Sequence, residues 1–292
     1  MRPTVCQREG GATKHLGAPG QDLGGSHVGT GPGTAPLYRV HRMLSVVIPT
    51  LQQSRHLGEL LQLLQDSDVV GEVVVVNNAD QPLPFATDKT RVLDPGRNLF
   101  VNPSWNLGVR HCRHRNLLIC NDDVLFDPGL LQFADRALTD GSGAIGPARS
   151  CFREELEGAE PDRPELVPTD RRTWGWGTMM FMPRRHYVPV PEDLLIWAGD
   201  DWVFRHQRRQ NHLLRGVTIQ TVMGSTSRQA RFSDQKNADL VRFREAYAEN
   251  PYLHRREAGV RRAALVERAR VGARWRVRRA RRLVRERLDA RR

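Results

Sequence analysis

The sequence predicts an α/β protein built on a mainly parallel sheet with helices covering both faces, and three observations carry that prediction. Short apolar runs recur between residues 44 and 120 without the polar alternation of a half-exposed strand. Between them lie segments whose apolar residues fall at helical spacing, and strands alternating with helices make parallel βαβ units. The runs also end in polar residues, at Pro49-Thr50, Asn77-Asn78 and Asn121-Asp122-Asp123. Ligands of open α/β sheets bind outside the carboxyl ends of the strands, so these endings mark one candidate edge.

Residues 1–42 contain nine Gly and four Pro with almost no apolar periodicity. Such a segment cannot bury enough surface to offset its ordering entropy, and it is expected to be disordered. Met43 directly precedes the first strand, "LSVVIPT" (44–50), so a chain starting at Met43 is expected to fold. In "RHLGELLQLLQ" (55–65), Leu57, Leu60, Leu61 and Leu64 share one helical face. "GEVVVVNNAD" (71–80) is a second buried strand and "TRVLDPG" (90–96) a short third. "NPSWNLGVRHCR" (102–113) reads as a helix, with Pro103 in its first turn and Asn102 or Ser104 as cap. "NLLICNDD" is the next strand and "DPGLLQFADRAL" (127–138) the next helix. No internal repeat is present.

The strand tip "CNDDVLFD" admits two readings. Asn and Asp end strands by bonding their own backbone, and a turn needs nothing more. Two carboxylates on a rigid edge also suit a hard divalent cation and a phosphate. A similar pair, Asp200-Asp201, follows the apolar run "LLIWAG". It reads either as the acidic first turn of a helix or as a general base tuned by its neighbour.

Taken in order, "SVVIPT", "VVVVNNAD", "NPSWNLG" and "LLICNDDVLF" resemble the nucleotide-binding half of the family 2 glycosyltransferases, which have the GT-A fold. The resemblance covers about residues 44–230. It implies a GT-A-like domain over 43–235, with a nucleotide-binding half (43–140) and an acceptor half (141–235), followed by a basic helical tail (236–292). It implies donor contacts from Pro49, Thr50, Asn77 or Asn78, Asn106, Asn121 and Asp122, and a Mg²⁺ or Mn²⁺ ion on Asp123. "WGWGTMMFMPRR" (174–185) resembles the acceptor-side strand, with Trp174, Trp176 and Gly177 at the acceptor; buried packing is the other reading of the two tryptophans. "GDDW" resembles the family's acidic motif, which implies Asp201 as the base, with Asp200 as the alternative. Two departures stand out: "YVPVPEDLLIW" replaces the usual Gly-Gly-Phe-Asp-Glu-like run, and Met223 stands near the place of a metal-binding His. Ser225, Thr226, Ser227 or Arg228 is then expected to meet the diphosphate.

The implied function is inverting transfer of a hexosyl or deoxyhexosyl unit from a nucleotide sugar to a glycan, lipid-linked or protein-linked hydroxyl. Among the alternatives, a sugar-phosphate nucleotidyltransferase needs a Gly-rich basic loop after the first strand, which "PTLQQSRHLGELL" lacks. A nucleic-acid-binding protein needs basic residues through the body. From Leu253 onward sixteen Arg stand against four acidic residues, which equals the whole chain's +12, so the body is close to neutral. A non-catalytic glycan-binding relative remains a third alternative. The Arg-rich tail reads as a solvated helix, or as a basic amphipathic helix on an anionic membrane surface. Cys6, Cys112, Cys120 and Cys151 show neither disulfide nor metal spacing. With no apolar span or signal segment, a cytoplasmic location is expected, peripheral to the membrane if the tail binds it.

Overall fold

The structure, a computed structural model, describes residues 43–155, 161–222 and 233–248. The first half runs β1 (Leu44–Thr50), α1 (Leu57–Gln65), β2 (Val70–Asn77), β3 (Thr90–Leu93), α2 (Val101–His111), β4 (Asn116–Cys120), β5 (Leu125–Phe126) and α3 (Gly129–Ala137). The second runs β6 (Ile145–Pro147), β7 (Phe152–Arg153), β8 (Glu165–Thr169), β9 (Met179–Pro183), α4 (Gly199–His206), β10 (Asn211–Arg215), β11 (Ile219–Gln220) and α5 (Ser233–Ala248). The expected α/β architecture is present. An eight-stranded sheet has the order β3-β2-β1-β4-β9-β6-β10-β8, and β5, β11 and β7 form a small second sheet.

The uninterrupted apolar strands occupy the middle. β1 is paired in parallel on both sides, with β2 and with β4. β3 extends the parallel set beyond β2, and β6 and β10 form a further parallel pair. β9 is antiparallel to both β4 and β6. Its sequence, Met-Met-Phe-Met-Pro, is buried throughout, as an interior strand requires.

Alternation along β1 sorts the core into two layers. Val46 and Ile48 pack with Leu57, Leu60, Leu61 and Leu64 of α1 and with Leu130 and Leu131 of α3. Val47, on the opposite face, packs with Trp105 and Val109 of α2 and with Val203 and Phe204 of α4. A side chain at Gly108 would place its Cβ 2.4 Å from Val47 Cγ1, so glycine is what lets α2 lie directly on β1.

Several element ends differ from the sequence reading, each for a local reason. β2 stops at Asn77 because its Oδ1 accepts the Ala79 amide at 3.2 Å and turns the chain. α3 starts at Gly129, where Asp127 Oδ1 accepts the Gly129 amide at 2.7 Å. Neither Asn102 nor Ser104 caps α2. The N-cap is Phe100, without a side-chain bond; Asn102 reaches Trp197 O instead, at 3.2 Å, and Ser104 donates to Phe100 O. The expected disordered segment 1–42 and the tail beyond Ala248 lie outside the described residues. Within the described residues no helix is long and apolar enough to cross a membrane, and Cys112, Cys120 and Cys151 are free, buried thiols.

Candidate functional site

Strand register brings the polar endings together. β1 and β4 pair Val47 with Ile119, so three residues further on Thr50 lies level with Asp122. Their side chains meet: Thr50 Oγ1 donates to Asp122 Oδ2 at 2.5 Å. The Asn121 amide donates to Thr178 O at 3.0 Å, which carries the β4–β9 ladder one residue past the strand. The tip of β4 is therefore fixed on both sides, and it opens into a cleft of about 450 Å³. Pro49, Thr50, Asn78, Asn121, Asp122 and Asp123 all line it.

Two neighbouring carboxylates at the back of a cleft are electrostatically uncomfortable. Burial pushes Asp122 up to about 6; the Thr50 hydrogen bond opposes this and the Asp123 charge adds to it. Burial also raises Asp123. Its Oδ1 is buried with no hydrogen bond of ordinary length among the described residues, although the side chains of Thr221 and Asn121 act to favour the ionised form; an oxygen so placed suits a proton or a cation. Among the described residues no group of three or more His, Cys, Asp or Glu is placed to hold a metal ion. That donor set still fits Mg²⁺ or Mn²⁺, since hard cations of this kind take one or two carboxylates and complete their shell with substrate phosphates and water.

Asn77 and Asn78 part company. Asn78 Oδ1 accepts the Leu99 amide at 2.9 Å and its Nδ2 donates to Ser104 Oγ at 2.9 Å, holding the cleft wall. Asn77 is 1% exposed and does not line the cleft. Its Oδ1 accepts from Gln52 Nε2 at 2.9 Å and its Nδ2 donates to Gln81 O at 2.8 Å. Asn106 is also buried and is not among the residues that line the cleft. Its Nδ2 donates to Val190 O at 2.7 Å, while its Oδ1 accepts from the Val190 amide at 2.9 Å and Tyr187 Oη at 2.8 Å. It ties α2 to the 187–190 segment, a structural task in place of the expected donor contact.

The second acid pair opens α4, as the dipole reading anticipates: Asp200 and Asp201 lie in its first turn. Arg172 clamps both, with its two terminal nitrogens 3.0 Å from Asp200 Oδ2 and 2.7 Å from Asp201 Oδ2. Asp200 Oδ1 accepts the Asp201 amide at 2.9 Å, so both its oxygens are engaged. Burial raises its pKa, and Arg172 holds that rise in check. Asp201 Oδ1 makes no hydrogen bond among the described residues. Gly177 lies against Asp200, where an added Cβ would come 3.0 Å from the Asp200 Cβ. Its neighbour Thr178 is the residue that receives the Asn121 amide. One short piece of backbone thus separates the two acid pairs.

The tryptophans divide as well. Trp176 is fully buried, edge-on to Phe204 at 5.1 Å, and has no free face for a sugar; the expectation of a platform there is corrected. Trp174 is 53% exposed, backed edge-on by Phe152 at 6.0 Å and covered on one face by Arg149 at 5.5 Å. Met223, near the place of the metal-binding His, and the expected diphosphate contacts at Ser225, Thr226, Ser227 or Arg228 lie outside the described residues.

Sequence reasoning missed several cleft residues. Ser54, Arg55 and His56 line it from the loop after β1, and Phe100 and Ile196 line it as well. His56 acts on Asp123 in the direction that favours its ionised form. The signal available was position, since a basic pair directly after the first strand falls on the carboxyl edge. A second signal lies in the backbone and is not visible in the sequence. The three described non-glycine residues with left-handed φ are Gln52 (56°), Phe100 (64°) and Ala198 (60°). They sit in the loop after β1, on the cleft wall and beside the second acid pair. Each costs about 1–3 kcal/mol, strain that concentrates at functional loops.

No protein-family model matches the chain, and no curated protein does. Among solved structures, it is similar to crystal structures of S. aureus TarS. TarS 1–349 shows 17% identity and a TM-score of 0.43 over 59% of this chain and 57% of that one. The same TarS segment in complex with UDP-GlcNAc shows 15% identity and a TM-score of 0.42. A longer TarS structure is matched over 62% of this chain and 37% of its own length. The chain therefore spans only about half, or less, of the proteins it is similar to.

Proposed function

We propose that the protein is a metal-assisted glycosyltransferase with a GT-A-like domain. It would move a hexosyl or deoxyhexosyl unit from a nucleoside-diphosphate sugar to a hydroxyl acceptor with inversion. The observation that carries this reading is the juxtaposition of two unlike acid pairs. One faces a cleft with a buried carboxylate oxygen that makes no hydrogen bond of ordinary length, and the other is clamped by Arg172 with one oxygen left over.

The first pair suits the leaving group. Asp123, with Asp122 beside it, would hold Mg²⁺ or Mn²⁺, which when bound offsets the negative charge that grows on the departing diphosphate. Thr50 keeps Asp122 oriented. Asn78 and Pro49 offer wall and polar contact for the nucleoside, and Arg55 adds a positive group and His56 an imidazole on the same cleft. The second pair suits the acceptor. Asp201 Oδ1 takes the proton from the acceptor hydroxyl as its oxygen bonds to the anomeric carbon and the bond to the diphosphate breaks. Arg172 holds the other oxygen, so the base keeps one orientation through the step. Asp200, with both oxygens engaged, serves better as support than as base. Trp174 offers the acceptor an exposed apolar face. A cytoplasmic setting, and membrane contact through the Arg-rich tail, complete the proposal, since a lipid-linked acceptor would be met at an anionic surface.

The test needs no acceptor. The full chain is heated with a panel of nucleotide sugars, UDP-GlcNAc among them, with and without Mn²⁺. Stabilisation by at least one diphosphate sugar, strengthened by Mn²⁺, is expected; at a hundredfold excess over Kd it amounts to about 2.7 kcal/mol. A melting temperature that no member of the panel moves, with or without cation, would sink the reading.

A further inference from the structure

Helix α5 carries few apolar residues, yet it buries one carboxylate completely. Asp239 is 0% exposed. A buried carboxylate needs donors, and here they come from three successive backbone amides of a distant loop. Leu195 N reaches Asp239 Oδ1 at 3.0 Å, and Ile196 N and Trp197 N reach Oδ2 at 2.9 and 2.8 Å. Successive amides converging on one anion form a concave nest, a geometry that fixes backbone as well as charge. Gln235 Nε2, one turn earlier on α5, donates to Oδ1 at 2.8 Å and orients the group.

The carbonyls of the same loop are held from the other side. The Asn102 amide donates to Leu195 O at 2.9 Å, and Asn102 Nδ2 donates to Trp197 O at 3.2 Å. The loop is gripped between α2 and α5, and its next residues carry the consequence. Ala198 adopts a left-handed φ of 60°. Gly199 passes so close to α2 that a Cβ there would lie 2.0 Å from Asn102 Oδ1. Asp200 and Asp201 follow at once. Upstream, Ile196 forms part of the cleft wall. α5 also meets α4 directly: Phe243 lies edge-on to Trp202 at 6.5 Å, and Arg205 covers Tyr247 at 4.9 Å.

We propose that Asp239 is a positioning residue. Its carboxylate, seated in the Leu195–Trp197 amides, sets the loop that brings Ile196 to the cleft and Asp201 to the start of α4. The role given to Asp201 rests on the glycosyl-transfer reading; the anchoring of the loop does not. A carboxylate is suited to the place because three charge-assisted bonds each exceed a neutral one in strength, and because an amide substituent would turn a donor toward backbone donors.

The experiment compares Asp239→Asn, Gln235→Ala and Asp193→Ala in the full chain. Asp193→Ala removes only the exposed pair with Arg242 at the same interface, so it should match wild type. In Asp239→Asn, amide exchange across residues 195–202 should accelerate by about tenfold or more, with β1, β2 and β4 unchanged. Gln235→Ala should show the same local pattern at smaller size, and it decides the matter if Asp239→Asn fails to fold. With a donor and acceptor in hand, kcat should fall about 10- to 100-fold while the donor KM stays within about threefold, because the base is displaced whereas the donor cleft loses only the Ile196 wall contact and keeps the β4 tip. Unchanged exchange over 195–202 overturns the proposal. So does a donor KM that rises as steeply as kcat falls. If the wild-type protein transfers no sugar, the functional reading falls by itself, and the exchange data still decide whether Asp239 holds the loop.

Discussion

Asp122→Asn should make the ligand-free protein more stable at neutral pH while disabling it. Burial holds the Asp122 carboxyl at about 6, against an ordinary value of 3.8. A raised pKa means that the folded state resists ionisation, so stability is fully present below 3.8 and is lost as pH rises through about 6. About two units at 1.36 kcal/mol each sets a ceiling of about 3 kcal/mol. The replacing amide is itself a polar group that must be buried, so the substitution should recover roughly half of that, about 1.5 kcal/mol. For a domain of this size each kcal/mol moves Tm by about 2–4 °C, so a gain of about 3–6 °C is expected at pH 7.5. Asn retains an oxygen to accept from Thr50 Oγ1, so the packing change is small. Thermal melts at pH 4 and pH 7.5 in chelator provide the assay, with the gap closing at pH 4. Adding Mn²⁺ and a binding nucleotide sugar should reverse the order, because only the wild type gains. A variant that melts at or below wild type at pH 7.5, or a gap that persists at pH 4, would refute the electrostatic reasoning.

The two acid pairs should also separate by substitution. Asp123→Ala should weaken Mn²⁺-dependent donor binding by calorimetry, whereas Asp201→Asn should leave it nearly intact and lower turnover about 10²- to 10⁴-fold; equal loss of donor affinity in both would merge the sites. Trp174→Ala should raise the acceptor KM with the melting temperature unchanged, whereas Trp176→Ala should cost about 3–5 kcal/mol of stability as a core truncation; the reverse pattern would show that their burial has been misread. Removing residues 253–292 leaves Asp239 and α5 in place, so donor binding should survive while binding to anionic vesicles is lost; vesicle binding that persists would move the contact to the body.

Legibility in the sequence followed the range of the interactions. β1 was bounded at both ends by local signals, its apolar run and the exit at Pro49-Thr50, and the structure returns the same residues, Leu44–Thr50. The carboxyl-edge cleft was legible for the same reason, since strand endings are local and the sheet aligns them. Helix starts were less so. Asn102 and Ser104 have the right chemistry for capping, but tertiary partners claimed both side chains. Trp176 and Asn106 failed for a related reason: in a motif, a residue that builds the cleft from behind is indistinguishable from one that faces it.

The acid pair at α4 shows where a sequence motif stops carrying information. Asp200 and Asp201 are chemically alike and adjacent, so nothing in the residues themselves says which is free to accept a proton. That distinction is made by Arg172, which engages Oδ2 of each, and by the Asp201 amide, which takes the remaining Asp200 oxygen. It depends further on a helix start whose approach is fixed by Asn102 on one side and Asp239 on the other. Arg172, Asn102 and Asp239 all lie tens of residues away and outside α4. A charged residue can reach a buried place only where the fold supplies donors, so a buried Asp239 implies a loop shaped to receive it. The converse also holds. A loop with three amides pointing one way and its carbonyls the other is not stable by itself, which makes the position of the second acid pair a property of α2 and α5 as much as of the residues that bear it.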